Sequence, residues 1–509
     1  MTLGTHRIHG HLLARNATMQ FVGQAGPLLL GLATIPFVVR GLGPDRFGLL
    51  SLAWALIGYF SVFDLGLGRA ATKRVSEALA KGQTSALGDI VWSAAIAQVA
   101  LGAAGAVVLV ALARPLVEHS LKMPADLVEE ARGGLYILAA SIPIFLVIGS
   151  LRGVLEAAQR FDLTNLIRAP YLSSYFIMPL VGVLLGFDLR GIIALLVLAG
   201  ALALVAYAWL CLRLFPTLRI RPRVRGPEFR ALLAFGGWIS VTAIVGPVLV
   251  LLDRFMIGAL MSVAAVGYYA AAYEMVTRLW IVPGSLAATL FPAFVALKTS
   301  GEEERLGVLL RAALRQLLLV LGPLVAVLIP FSHDVLRLMF GSEYAARSAV
   351  VLQILSVGVL VNCLAFIPVA LIQGIDRPDV TAKLHLIELP IHAALVLLLV
   401  WKFGIVGAAL AWSIRAALDA VLQFAAAARL VALARGFALG DRAPRTLALL
   451  AGVDVVAWRV VELVATEWAR FLAGGILMAI VALVIWRYLL DSRERAHLTR
   501  LLRPLASTI

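Results

Sequence analysis

DRFGLLSLAWALIGYFSVFDLGLGRAATKR, residues 45–74, opens with 17 uncharged residues from Phe47 to Phe63, breaks at Asp64, turns through Gly66 and Gly68, and closes on Arg69, Lys73 and Arg74. At ~1.5 Å of rise per residue, such a run lies at the short end of what crosses a bilayer. The basic cluster behind it has the form of a cytoplasmic anchor beside a membrane exit. A buried helix of a large soluble protein would carry the same apolar run. The rest of the chain decides between them, because nearly every other stretch repeats the pattern.

The chain has 509 residues, of which 62% are hydrophobic and 14% charged, with mean hydropathy +0.97. Soluble domains carry roughly 25% charged residues, so lipid is the solvent this composition requires. The net charge of +15 sits in short segments between apolar runs, which is the positive-inside arrangement and not a nucleic-acid-binding stripe. Cys211 and Cys363 both fall in apolar runs, so neither a disulfide framework nor paired metal ligands are expected. No cleavable leader is expected, since the first apolar run is not followed by a small-residue cleavage site. There is no GxxxxGK[ST] phosphate loop and no HExxH motif. Direct ATP hydrolysis, metal and cofactor are therefore not expected. His119, His333, His385, His392 and His497 read as interfacial or packing residues.

Fourteen spans are expected, near 17–39, 47–65, 88–112, 133–151, 165–186, 189–212, 231–252, 263–283, 314–332, 348–372, 383–401, 404–428, 446–465 and 470–490. With a cytoplasmic amino terminus, 30 of the 44 basic residues fall in inside segments or in the span ends that border them, an asymmetry that orients the chain with both termini cytoplasmic. The stretch 446–465 contains Asp454, Arg459 and Glu462 and reads by itself as an interfacial helix. It is kept as a span because the basic segments on either side of it would otherwise lie on opposite faces.

FGLLSLAWALI at 47–57 resembles VGYYAAAYEMV at 266–276, and GFDLRGIIALL at 186–196 resembles KFGIVGAALAW at 402–412. The offsets, 219 residues from Gly48 to Gly267 and 216 from Gly191 to Gly407, nearly agree. The expected fold is an all-α polytopic integral membrane protein of about 14 transmembrane helices. Two pseudo-symmetric six-helix bundles, 1–216 and 217–432, are followed by a helix pair and basic tail, 433–509. Transporters commonly rock such halves about a central site.

Charge within a span faces a protein interior or cavity. Glu274 and Arg278, and likewise Arg415 and Asp419, stand four residues apart on one helix face, which allows both an intrahelical pair and a cavity lining. Glu388 has only Lys383 and His392 nearby, so water, another helix or a proton must compensate it. Asp64, Glu274, Glu388 and Asp419 are the candidate coupling or cavity-lining acids. Asp253 and Arg254, adjacent charges where the seventh span ends, read as interfacial. Arginine grips a diphosphate through paired donors. Arg278, Arg415, Arg40 and Arg69 are the candidate anion-binding bases, with Arg46 and Arg74 beside the two mouths. Gly267, Pro283, Gly284 and Pro292 make 263–297 a bent or discontinuous helix.

Four segments carry a family resemblance: RGLGPDRFGLLSLAWALIGYFSVFDLGLGRAATKRVSE at 40–77, LLDRFMIGALMSVAAVGYYAAAYEMVTRLWIVPGSLAATLFPAF at 251–294, LIQGIDRP at 371–378, and ELPIHAALVLLLVWKFGIVGAALAWSIRAALDA at 388–420. They resemble bacterial Wzx-like polysaccharide flippases, within the larger group of multidrug and toxin extruders and lipid II flippases. The resemblance implies two helical bundles around a partly cationic cavity in the inner membrane. It implies translocation of an undecaprenyl-diphosphate-linked oligosaccharide for surface polysaccharide synthesis, with a proton, sodium or potential gradient resetting the bundle. Membrane lipid, a polysaccharide polymerase and a chain-length regulator are the implied partners. A multidrug or lipid II exporter on the same fold is the alternative, since the acids and bases within spans do not decide between cargoes. A membrane polymerase or glycosyltransferase would need a sizeable outside loop. The longest candidate, 113–132, holds Glu118, Asp126, Glu129 and Glu130 without a catalytic arrangement. Reporter fusions after Arg230, Arg445 and Ile509 are expected to report the cytoplasm; a periplasmic signal at the last would remove a span from the terminal pair.

Overall fold

Long apolar runs punctuated by glycine and proline fold here into helices that break where the backbone demands it. The structure is a computed structural model that describes residues 10–60, 67–83, 86–158, 160–219, 248–249, 251–299, 301–375, 377–431 and 443–489. Every regular element among the described residues is helical. In chain order they are α1 (Gly10–Tyr59), α2 (Leu67–Ala80), α3 (Leu87–Pro115), α4 (Ala125–Ala157), α5 (Phe161–Leu184), α6 (Leu189–Leu214) and α7 (251–260). There follow α8 (Val263–Thr277), α9 (Ile281–Thr299), α10 (Glu303–Phe340), α11 (Ser342–Gly374), α12 (Pro378–Leu430), α13 (Ala443–Leu463) and α14 (Glu467–Val484).

Two of these helices are broken in the middle. In α1 the break is at Gly43 (φ 71°, ψ 174°) and in α12 at Gly404 (φ 59°, ψ −136°). Only glycine adopts these positive φ values without steric cost. The break at Gly43 falls between two spans expected from the sequence and that at Gly404 on the first residue of an expected span, and Pro44 opens the second arm of α1, where its missing N–H has no helical partner to lose. The expected discontinuity in 263–297 is present as a 3₁₀ turn, Arg278–Trp280, between α8 and α9. It precedes Pro283, which lies in the first turn of α9, where a missing N–H leaves no helical bond broken. The outside loop expected at 113–132 is corrected. Helix α3 continues through a π turn at Leu116–Ser120, and α4 already begins at Ala125. Glu118, Glu129 and Glu130 are therefore helical residues.

Among the described residues, eight helices are long and apolar enough to cross a membrane. Their outer faces carry large apolar side chains, with Val107 69%, Leu184 76% and Trp401 75% exposed. Contiguous exposure of this kind is unfavourable in water and normal against lipid. Helix α13 is not among the eight. It packs on α10 and α14 through Val453 and Ala457, against Ala326, Phe331, Leu477 and Val481, while Val455, Val456, Trp458 and Leu463 face outward.

The chain forms two compact units, one of Met1–Ala271 with His385–Ala408, the other of Ala272–Leu384 with Ala409–Ile509. In the first, α1 packs on α5, and α4 on α2, α3 and α6. Small residues allow the approach: a Cβ on Gly102 would lie 2.6 Å from Pro143 Cα, and one on Gly153 2.0 Å from Thr72 Oγ1. In the second, α10 packs on α11 and α13, and α11 on α9. Arg470 holds the buried Asp334 at 3.1 Å, and Arg337 meets Glu467 at 2.7 Å, tying α14 to α10.

A close backbone approach within the first unit joins residues that the sequence repeat equates. A Cβ on Gly48 would lie 1.9 Å from the Val263 carbonyl oxygen, and a Cβ on Gly267 2.4 Å from the Pro44 carbonyl oxygen. Residues 44 and 263 are separated by 219, as are 48 and 267, so the two helices cross reciprocally. Gly48→Ala and Gly267→Ala should each destabilise the protein by about 1–3 kcal/mol through overpacking, read as a lowered unfolding temperature in detergent. Gly149→Ala and Gly284→Ala, where an added Cβ meets nothing within 4 Å, should leave it unchanged or raised. Equal behaviour of the two groups would remove the crossing from the account of stability.

Candidate functional site

Within the second unit, the end of α8, the 3₁₀ turn and the second arm of α12 meet around three aromatic rings. Trp412 is fully buried, with Tyr273 edge-on at 5.9 Å and Trp280 at 6.3 Å between centroids. The Arg415 guanidinium lies over the Trp412 ring, 5.6 Å from its centroid, a favourable cation–π placement. Asp419, one turn on, is buried and accepts from Gln423 Nε2 at 3.0 Å, and Gln423 Oε1 accepts from the Thr381 hydroxyl at 3.3 Å. Arg278 Nη2 meets Glu274 Oε2 at 3.0 Å, the intrahelical pair its spacing allows. Arg278 and Arg415 are thus carried by segments that share one aromatic cluster. Planar cations beside aromatic faces suit an anionic group attached to sugar rings.

A second polar constellation lies within the first unit, and there the sequence reading is corrected. Asp253 and Arg254 are not interfacial: they are 0% and 5% exposed. Tyr269 donates to Asp253 Oδ2 at 3.0 Å, and His392 Nε2 stands 3.0 Å from Asp253 Oδ1. Arg254 Nη1 donates to the Ser51 carbonyl at 3.1 Å. His392, read from sequence as a packing or interfacial residue, faces a carboxylate with neither side chain exposed. The reading failed because a DR pair at the end of an apolar run is more often a membrane edge. The usable signal was the i,i+4 spacing of Glu388 and His392, which puts a second ionisable group on the face of the first. Glu388 is fully buried.

The remaining candidates are dispersed. Arg40 is exposed near the end of the first arm of α1. Arg46 is engaged by Glu130 through two contacts, Nη2–Oε1 at 2.7 Å and Nε–Oε2 at 3.1 Å, while Glu130 also accepts from the Leu189 backbone N–H at 3.2 Å. A bidentate pair with a third contact is a structural clamp joining α1, α4 and α6. Arg69 is carried by α2, and Asp64 lies outside the described residues.

Long apolar helices broken at glycine and carrying buried charge define a polytopic membrane protein. Residues 37–349 match the family described as "Polysaccharide biosynthesis protein", and the chain belongs to that family. It is 28% identical over 415 residues, 81% of its length and 96% of the relative's, to "Putative O-antigen transporter" of Shigella flexneri. It is 24% identical over 424 residues, 81% of its length and 82% of the relative's, to "Probable low-salt glycan biosynthesis flippase Agl15" of Haloferax volcanii. Its fold is similar to that of an inward-facing multidrug resistance MATE family transporter, with TM-score 0.70 at 16% identity over 80% of this chain and 94% of the other. The lipid II flippase MurJ in an inward closed conformation gives TM-score 0.70 at 14% identity over 92% and 99%. Glu388→Gln, which keeps shape and removes the charge, should lower transport at least tenfold while leaving abundance in the membrane near normal. Parallel losses of both would make the residue structural.

Proposed function

We propose that this transporter flips an undecaprenyl-diphosphate-linked oligosaccharide repeat unit across a bacterial inner membrane, for assembly of a surface polysaccharide. In this reading both termini are cytoplasmic and fourteen spans, α13 included, form two six-helix halves, 1–216 and 217–432, with a terminal pair at 433–509. The halves alternate access under a proton or sodium gradient, and a polymerase with its chain-length regulator receives the product. Support comes from the names of two relatives, "Putative O-antigen transporter" and "Probable low-salt glycan biosynthesis flippase Agl15", each matched over 81% of this chain. The observation that carries the substrate class is the aromatic cluster of Tyr273, Trp280 and Trp412 with Arg415 stacked on it. Aromatic faces take sugar rings, and a guanidinium takes phosphate oxygens in pairs. Arg278 and Arg415 are assigned to the diphosphate, and Glu274, Glu388 and Asp419 to the cavity or its coupling. Arg40 and Arg69 are assigned to the two mouths, with Asp64 beside the inner one.

Loss of the gene should cause a diphosphate-linked glycan to accumulate on the cytoplasmic leaflet. Lysine keeps the charge of arginine and its ability to pair with a neighbouring carboxylate but loses the planar fork. Purified Arg278→Lys and Arg415→Lys variants should therefore bind a diphosphate-linked lipid about tenfold more weakly, a difference of ~1.4 kcal/mol, with less preference over the matched monophosphate lipid. Unchanged affinity and preference in both variants would leave the arginines as structural ion-pair partners.

A further inference from the structure

Within the first unit, the short turn between α4 and α5 brings two arginines within electrostatic range of each other, and only one of them has a carboxylate. Arg152 stands five residues before the end of α4 at Ala157, and Arg168 seven residues after the start of α5 at Phe161. At ~1.5 Å per residue, they lie ~8 Å and ~10 Å from the joining turn. Arg168 is within range of Arg152, Glu156 and Tyr207, and Tyr207 is within range of both arginines. Tyr207, from α6, is buried and donates at 3.3 Å to the carbonyl of Thr164, one turn before Arg168. Tyr171 and Tyr175 follow Arg168 on the same face of α5, their hydroxyls 3.0 Å apart in a hydrogen bond.

The acids at this end of α4 and α5 are already engaged. Arg160 holds Asp162 through two contacts, at 3.0 and 2.8 Å. Glu156 lies 3.3 Å from Arg152 Nε. That contact lacks hydrogen-bond geometry, and Arg152 Nε is buried with no hydrogen-bond partner among the described residues. Arg168 makes no hydrogen bond or ion pair among them. Its partial burial and the like charge of Arg152 both oppose the cation, and Glu156 offsets them only from a distance. Three residues before Arg168, Asn165 Nδ2 is likewise buried and without a partner. Donors without acceptors are therefore gathered beside an under-compensated arginine. Both conditions are costly in a span, and a bound anion relieves both.

We propose that Arg152, Arg168 and Asn165 form a site for one phosphate group, which bridges α4 and α5. A guanidinium presents paired donors to phosphate oxygens, and the amide adds another. The depth favours the headgroup of an anionic phospholipid in the adjoining leaflet. Helix α4 has 33 residues, ~50 Å of helix against a hydrocarbon core of ~30 Å. Its end therefore stands at the level of headgroups, which the long stem of an arginine reaches. Inorganic phosphate offers the same acceptor oxygens without acyl chains. Arg278 and Arg415 belong to the other unit, and the site at Arg168 rests on nothing assigned to the cargo.

The test titrates the purified full-length chain in detergent in two separate arms: phosphatidylglycerol, followed by native mass spectrometry, and inorganic phosphate, followed by calorimetry. Arg168→Gln should weaken binding by about tenfold or more, and Asn165→Ala by about threefold. Arg160→Gln, whose charge Asp162 already matches, should change it by less than about twofold. A loss confined to the lipid arm assigns the site to a headgroup, and one confined to the phosphate arm assigns it to a soluble anion. Without ligand, Arg168→Gln should leave the unfolding temperature unchanged or raised, because it removes a charge that lacks a partner; a fall would make Arg168 structural and overturn the site. Should that variant fail to accumulate, Asn165→Ala decides by the same titrations. Binding by Arg168→Gln equal to that of the unaltered chain, an equal loss in Arg160→Gln, or no saturable binding below about 1 mM in either arm would each overturn the site. Failure of the unaltered chain to export a lipid-linked glycan would overturn the cargo assignment and leave this site standing.

Discussion

Lipid is the solvent on which this structure depends. With no water in the hydrocarbon core, backbone N–H and C=O groups must pair within the protein, so the described chain is helical throughout and its irregular turns are confined to positions that tolerate them. The same constraint governs the charges. Those near the ends of helices form pairs such as Arg470–Asp334 and Arg46–Glu130. Charges that remain deep are held by aromatic faces, as Arg415 is by Trp412, or by hydrogen-bonded sets such as Asp253 with Tyr269. Each compensation keeps a buried charge or dipole from standing alone in the interior.

The helices were legible in the sequence because apolar length and flanking charge are local properties. Gly43 and Gly404, which break α1 and α12, fall where the apolar runs were already divided. The stretch 113–132 was less legible. Its charges resemble a loop, but they pair along helices: Arg114 meets Glu118 at 3.0 Å, four residues on, and Arg132 meets Glu129, three residues back. Opposite charges spaced three or four residues apart solvate one another on a helix, and that distinction from loop polarity depends on periodicity, which a charge count ignores.

The candidate site was readable one helix at a time and no further. The pair Glu274–Arg278 and the burial of Glu388 follow from spacing within single segments. Asp253 and His392 are 139 residues apart in sequence, and their meeting is a tertiary event that no local spacing contains. Likewise, Trp412 is prominent in its run, but only packing brings Tyr273 and Trp280 against it.

The crossing of Gly48 and Gly267 has the pattern of an isologous interface, in which residue i touches j while the counterpart of i touches the counterpart of j. In a homodimer a substitution at such a contact falls on both sides at once, and the two partners stay identical. Here both sides belong to one chain and can be altered separately. Evolution could therefore hold the shared glycine contact fixed while drawing the sequences behind it apart. One copy retains LLSLAWALI after its glycine and the other YYAAAYEMV, so only the latter carries the tyrosine that meets Asp253 and the glutamate that meets Arg278. A symmetric contact in a single chain thus leaves each copy free to acquire a chemistry the other lacks.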